Sequence, residues 1–153
     1  MKAFLDTSVL MPVFYGEHEH HEASLDLYVG LSKADACCGA HSLVEVYSPV
    51  SRMPGKHRVS ADQALLFVDD ILERLTVVSL TLEEQTNTLR SFAALGVVGG
   101  TIYDAMLAGC APKAGAEIIF TWNMRHYAQF GPEVTRRLQK PGAIAHGPAF
   151  IGP

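Results

Sequence analysis

Asp6 closes the apolar run Ala3-Phe4-Leu5, and two hydroxyls, Thr7 and Ser8, follow before Val9-Leu10. Glu45 falls in the first helical turn after the small apolar run Ala36-Cys37-Cys38-Gly39-Ala40, and Asp104 in the first turn of the helix that follows Gly99-Gly100. Thr121 and Asn123 end the run Ile118-Ile119-Phe120. In an open parallel sheet the carboxyl ends of strands share one edge, and ligands bind there. Two carboxylates about 5 Å apart repel by roughly 3 kcal/mol at an effective dielectric near 20. Three in one pocket therefore need a proton or a cation. Hard oxygen donors without cysteine or histidine favour Mg²⁺ or Mn²⁺ over zinc. One or two such ions polarise a phosphodiester, generate hydroxide from water and stabilise the leaving oxygen.

A plainer role competes for each acid. Ser42-x-x-Glu45 and Thr101-x-x-Asp104 match the capping-box pattern, and acids are favoured in first helical turns. Thr81-x-x-Glu84 shows the same pattern where no site is expected. Taken one at a time the acids read as helix caps; their convergence on one edge favours a site.

The elements that must position them alternate along the chain. A strand at Ala3-Phe4-Leu5 leads into a short helix around Ser8 to Phe14, and a second helix runs to about Ser32 with Ala23, Leu27, Tyr28 and Leu31 on one face. After the strand at 36–40, Leu43, Val46, Tyr47 and Val50 repeat at helical spacing, with Ser42 as cap and Pro49 kinking the helix or ending it early. Ser60-x-x-Gln63 opens the firmest helix, carrying Ala61, Ala64, Leu65, Val68, Leu72 and Leu75. Val77-Val78-Ser79-Leu80 is a third strand, followed by a helix to Leu95. A helix from about Thr101 buries Tyr103, Met106, Leu107, Cys110, Ala111 and Ala114. Glu117 to Thr121 is the clearest strand, and an edge strand is expected near Thr135 to Leu138 among the turn-forming Pro132, Pro141, Pro148 and Pro153. Strands alternating with helices indicate a parallel sheet covered on both faces.

The totals agree. A chain of 153 residues fits one domain burying roughly two-thirds of its extended surface. It is 48% hydrophobic and 18% charged, which excludes a disordered chain. No apolar run approaches the roughly 20 residues of a membrane span. Met1-Lys2-Ala3 leaves no room for a signal-peptide core, so a cytoplasmic protein is expected. Cys37, Cys38 and Cys110 read as buried reduced thiols rather than a disulfide framework. A net charge of −4, from 12 basic and 16 acidic groups, argues against a broadly basic nucleic-acid coat while leaving room for a local basic groove.

Four stretches resemble the motifs of the PIN domain, in the family's order and roughly its spacing. They are Leu5-Asp6-Thr7-Ser8-Val9-Leu10, Ser42-Leu43-Val44-Glu45-Val46-Tyr47-Ser48, Ile102-Tyr103-Asp104-Ala105 and Thr121-Trp122-Asn123-Met124-Arg125-His126-Tyr127. The resemblance is closest to VapC-type toxins of bacterial toxin–antitoxin pairs and runs from Lys2 to about Pro141. It implies a three-layer α/β/α sandwich with a central, mostly parallel sheet, and a single domain over 1–153 whose last ten or so residues are a tail. It also implies a Mg²⁺- or Mn²⁺-dependent endoribonuclease, leaving a 5′-phosphate and a 3′-hydroxyl, usually dimeric and inhibited by an antitoxin encoded beside it. Carried over, Asp6, Glu45 and Asp104 hold the metal. Asn123 stands where many members have a fourth acid and adds no charge, and Thr121 or Ser8 orients the water or an acid.

Other residues could carry chemistry of their own. Arg125, Arg52 and Lys56 are candidates to contact RNA phosphates, with His57, Arg58 and His126 nearby. His18, His20 and His21 read as a solvated helix start rather than a metal cluster, and Trp122 and Tyr127 as core rather than base-stacking platforms. Gly99-Gly100 lacks the following lysine of a phosphate-binding loop. Two rivals follow: a PIN-fold module that binds RNA or protein without cutting, and a receiver domain. The latter needs paired acids after its first strand and a lysine ending its last, and neither is present.

Overall fold

The structure, a computed structural model, describes residues 2–142. Among these residues five strands form one sheet: β1 (Ala3–Leu5), β2 (Ala36–Gly39), β3 (Thr76–Val78), β4 (Ile118–Phe120) and β5 (Leu138–Gln139). Their order is β3-β2-β1-β4-β5 and every pairing is parallel. From β1 the chain moves outward through β2 to β3, then returns to the other side of β1 with β4. Strand order reverses between β1 and β4, so a crevice opens at their carboxyl ends. Leu5 lies opposite Phe120 in register, so the next residues, Asp6 and Thr121, emerge side by side.

Eight α-helices among the described residues cover the sheet: α1 (Thr7–Val13), α2 (His21–Val29), α3 (His41–Val50), α4 (Ala61–Arg74), α5 (Leu82–Ala94), α6 (Thr101–Lys113), α7 (Met124–Tyr127) and α8 (Pro132–Thr135). The alternation of strand side chains divides the core in two. Ala3, Leu5, Cys38 and Phe120 pack under Val9, Tyr28, Val46, Ile71 and Leu75 of the first four helices and the residue that caps the fourth. Phe4, Cys37 and Ile119 pack under Phe92, Ala105, Leu107 and Tyr127 of α5 to α7, with Phe130 and Val134. The result is the expected three-layer α/β/α sandwich, with the sheet wholly parallel. Both of its faces are buried, which is why its strands are apolar on consecutive residues. Cys37, Cys38 and Cys110 are free and buried. No helix among the described residues is long and apolar enough to cross a membrane.

The fold departs from the sequence reading at several points. Helix α2 ends at Val29, short of Ser32, and β3 runs 76–78 rather than 77–80. On α4 the buried side chains are Ala64 and Ile71, with Leu75 beyond its end, while Leu65 and Leu72 point outward with Leu66. On α6, Tyr103 is 61% exposed, because the helix meets the sheet through Ala105, Leu107, Ala108 and Ala111. Near the carboxyl terminus, Thr135 closes α8 and the edge strand is only Leu138–Gln139. The proposed tail, with Pro148 and Pro153, lies outside the described residues.

Candidate active site at the sheet edge

Asp6 leaves β1 as the N-cap of α1 and is 1% exposed. Its Oδ2 accepts from the Ser8 hydroxyl at 2.6 Å, the Thr121 hydroxyl at 2.9 Å and the Ser8 amide at 3.3 Å. Its Oδ1 accepts from the Tyr127 hydroxyl at 2.5 Å. Four donors offset the desolvation of this carboxylate and fix its rotamer. The hydroxyls are themselves held, since the Trp122 amide donates to Ser8 Oγ at 2.9 Å and the Asn123 amide to Thr121 Oγ1 at 3.0 Å. Burial and the adjacent Asp6 carboxylate push the Tyr127 hydroxyl well above the ordinary phenol range, so it stays a donor.

Glu45 and Asp104 are held far more lightly. Glu45 Oε1 is 3.4 Å from the Thr7 hydroxyl, which also lies 2.9 Å from Ser42 Oγ, and 4.0 Å from His41 Nε2. Asp104 Oδ2 is 3.4 Å from His126 Nδ1. Partial burial raises the pKa of Glu45, which the charges of Asp6 and Asp104 raise further against the opposing pull of His41 and Thr7. Burial also raises Asp104, as does the charge of Asp6, with His126 opposing.

Neither acid is a cap. Helix α3 begins one residue before Ser42, with Ala40 at the N-cap and no side-chain cap, and buried Ser42 turns toward Thr7 instead. Helix α6 begins at Thr101 with Gly100 at the N-cap, again with no side-chain cap. Only Asp6 combines the two roles, capping α1 while standing in the cleft.

Asp6, Glu45, Asp104 and Asn123 all line one open cleft of about 430 Å³ at the carboxyl edge of β1 and β4, and no lysine or arginine lines it. Among the described residues no three His, Cys, Asp or Glu side chains form a ready-made metal cage. The donor set is nevertheless one for a hard divalent ion: three carboxylates and an amide, two of the acids carrying charge that their surroundings do not neutralise. Thr121 is buried beneath Asp6, and Asn123 is exposed at the start of α7. Arg125 is exposed outside the cleft. Arg52 and Lys56 sit on the loop after α3, where Lys56 Nζ is 3.7 Å from Glu17 Oε1.

The structure adds residues that the sequence reading left out. Thr7 approaches Glu45. Tyr127 is core, as expected, but its hydroxyl also holds Asp6. His20 and His21 do start α2 and Trp122 does pack against the core, but His18, His20 and Trp122 also line the cleft. Thr7 could have been flagged by adjacency to Asp6, as Ser8 was. Nothing in a one-dimensional pattern distinguishes the hydroxyl of Tyr127 from an ordinary buried ring.

The family model for the PIN domain matches residues 3–128. The chain belongs to the PIN domain family. Among relatives, it is 32% identical over 115 residues to Ribonuclease VapC27 of Mycobacterium tuberculosis, covering 74% of this chain and 80% of that one. DNA-bound VapBC from Salmonella typhimurium aligns with a TM-score of 0.65 at 22% identity, over 92% of this chain and 98% of the other. Mycobacterium tuberculosis VapC20, described as a sarcin-ricin loop cleaving toxin, aligns at 0.67 and 15% identity, over 83% and 94%. At these identities the two structures speak to fold alone. PIN-domain VapC nucleases are generally dependent on divalent metal.

Proposed function

We propose that this PIN domain is a Mg²⁺- or Mn²⁺-dependent endoribonuclease, and the toxin of a toxin–antitoxin pair. The observation that carries the reading is the cleft itself: Asp6, Glu45, Asp104 and Asn123 share it with no cationic side chain among them. Asp6, Glu45 and Asp104 hold the ion. A bound divalent ion supplies Lewis acidity toward the phosphodiester and its attacking water. The chain does the rest by positioning. Ser8, Thr121 and Tyr127 lock Asp6, Thr7 restrains Glu45, and the Asn123 amide completes the pocket without adding charge. Arg125, with Arg52 and Lys56 farther off, meets RNA phosphates outside the cleft.

Two features support the toxin reading: similarity to a chain named Ribonuclease VapC27 and a fold shared with DNA-bound VapBC. On this reading the partners are an antitoxin and a second copy of the chain, acting in the cytoplasm.

Asp6→Ala and Asp104→Ala should each abolish cleavage of labelled RNA across a Mg²⁺ titration, with circular dichroism unchanged for Asp104→Ala. Full Mg²⁺-dependent activity in either variant would overturn the assignment. Because Asn123 contributes no fourth charge, a binding module is the second reading, and RNA binding by the wild type without cleavage would favour it.

A further inference from the structure

Part of the cleft wall is aromatic rather than acidic. The His20 ring lies flat on the Trp122 indole, with centroids 3.8 Å apart and planes 5° from parallel. The indole is fixed from behind, since Nε1 donates to the hydroxyl of buried Ser24 at 2.9 Å. The His20 amide donates to His18 Nδ1 at 3.0 Å, and the His18 ring stands 5.6 Å from that of His20. His21 Nδ1, 2.7 Å from the Pro12 carbonyl, donates to it and ties the loop to α1. The His20 side chain is 33% exposed. This is a ring held in place before any ligand arrives, so little ordering entropy is lost when something lies on it.

The charge of the cleft says what that ligand contacts. An RNA strand brings phosphates, yet the lining offers four carboxylates, Asp6, Glu19, Glu45 and Asp104, and no lysine or arginine. Without lysine or arginine in the cleft, and apart from what a bound ion would hold, the chain's own side chains there grip the strand through groups other than phosphate. Bases of single-stranded RNA stack on aromatic and imidazole rings and have a π-face whatever their sequence. We propose that the face of His20 turned away from Trp122 is the stacking platform for a nucleobase of single-stranded RNA entering the cleft. This rests on the ribonuclease reading and extends it, making the substrate an unpaired segment held through a base. A duplex would have to be opened first.

The test compares wild type, His20→Ala and His20→Phe on a short single-stranded oligoribonucleotide in Mg²⁺. Stacking predicts a KM about tenfold higher for His20→Ala with kcat little changed, and recovery in His20→Phe, which restores a ring without the imidazole nitrogens. Trp122 is the only tryptophan, so its emission reports directly on the platform. Titrating the same oligonucleotide in EDTA should change that emission in wild type and His20→Phe, with about tenfold weaker binding in His20→Ala. Thermal melts establish that both variants fold. A wild-type KM in His20→Ala, or a His20→Phe variant as weak as the alanine, overturns the platform while leaving the nuclease intact. A wild type that neither binds nor cuts RNA overturns both.

Discussion

Asp6, Glu45 and Asp104 share a cleft but not an environment. Asp6 has four donors, whereas Glu45 has one weak hydrogen bond from Thr7 and His41 at 4.0 Å, and Asp104 has a single long contact, to His126. Their raised pKa values, from burial first and neighbouring acids second, carry a sign for stability. A carboxyl whose folded pKa exceeds its unfolded value keeps its proton more readily in the folded chain. It costs nothing below the ordinary carboxylate range, destabilises as pH climbs toward the raised value, and continues to do so above it. In EDTA the wild type should therefore lose stability relative to the double variant Glu45→Gln/Asp104→Asn as pH rises above the ordinary carboxylate range. At pH 7 the amides should melt a few degrees higher, a domain of this size moving about 2–4 °C per kcal/mol. Mg²⁺ should raise the wild-type melting temperature and leave the variant's unmoved. A variant that melts below wild type at pH 7 in EDTA would show that the two acids are not in conflict.

At the scale of elements, the chain shows why identical patterns mean different things. Ser60-x-x-Gln63 and Thr81-x-x-Glu84 form complete capping boxes, and the latter acid goes on to pair with Lys113. Ser42-x-x-Glu45 and Thr101-x-x-Asp104 form none, because the backbone is already helical at Ala40 and Gly100. The pattern is local, but its outcome depends on how the preceding strand or glycine turn delivers the chain. Strand and helix order was legible because apolar period is set by burial on one or two faces. Which side of α4 and α6 faces inward was not, since both helices carry apolar residues on more than one side. Close packing of α5 on α6 was equally hidden. A Cβ built on Gly109 would lie 2.6 Å from Thr88 Cγ2. In an open helix Gly→Ala gains up to about 1 kcal/mol. Here Thr88 is β-branched and stiff, and overpacking costs about 1–3 kcal/mol. Gly109→Ala should melt below wild type, and Thr88→Ala in the same chain should recover most of the loss. A Gly109→Ala variant at least as stable as wild type would mean that the two helices are not so closely apposed.

For the molecule as a whole, the exposed apolar side of α4 calls for a second contact. This helix sends Ala64 and Ile71 into the core, yet Leu65, Leu66 and Leu72 stay 49%, 64% and 42% exposed, and Val44 on adjoining α3 is 56% exposed. Single exposed leucines are ordinary. A helix apolar on two sides is better explained by two buried contacts, one with its own sheet and one with another surface. The homodimer proposed above provides the second, and a stable pair needs roughly 800 Å² from each protomer. Since these side chains contribute little to the monomer's core, Leu65→Glu/Leu66→Glu should leave the fold intact while placing four carboxylates across a two-fold interface. Sedimentation equilibrium at micromolar concentration should then give a dimer for wild type and a monomer for the variant, with circular dichroism unchanged. A monomeric wild type would remove the dimer, and a dimeric variant would move its interface off α4, leaving those leucines for the antitoxin or another partner to cover.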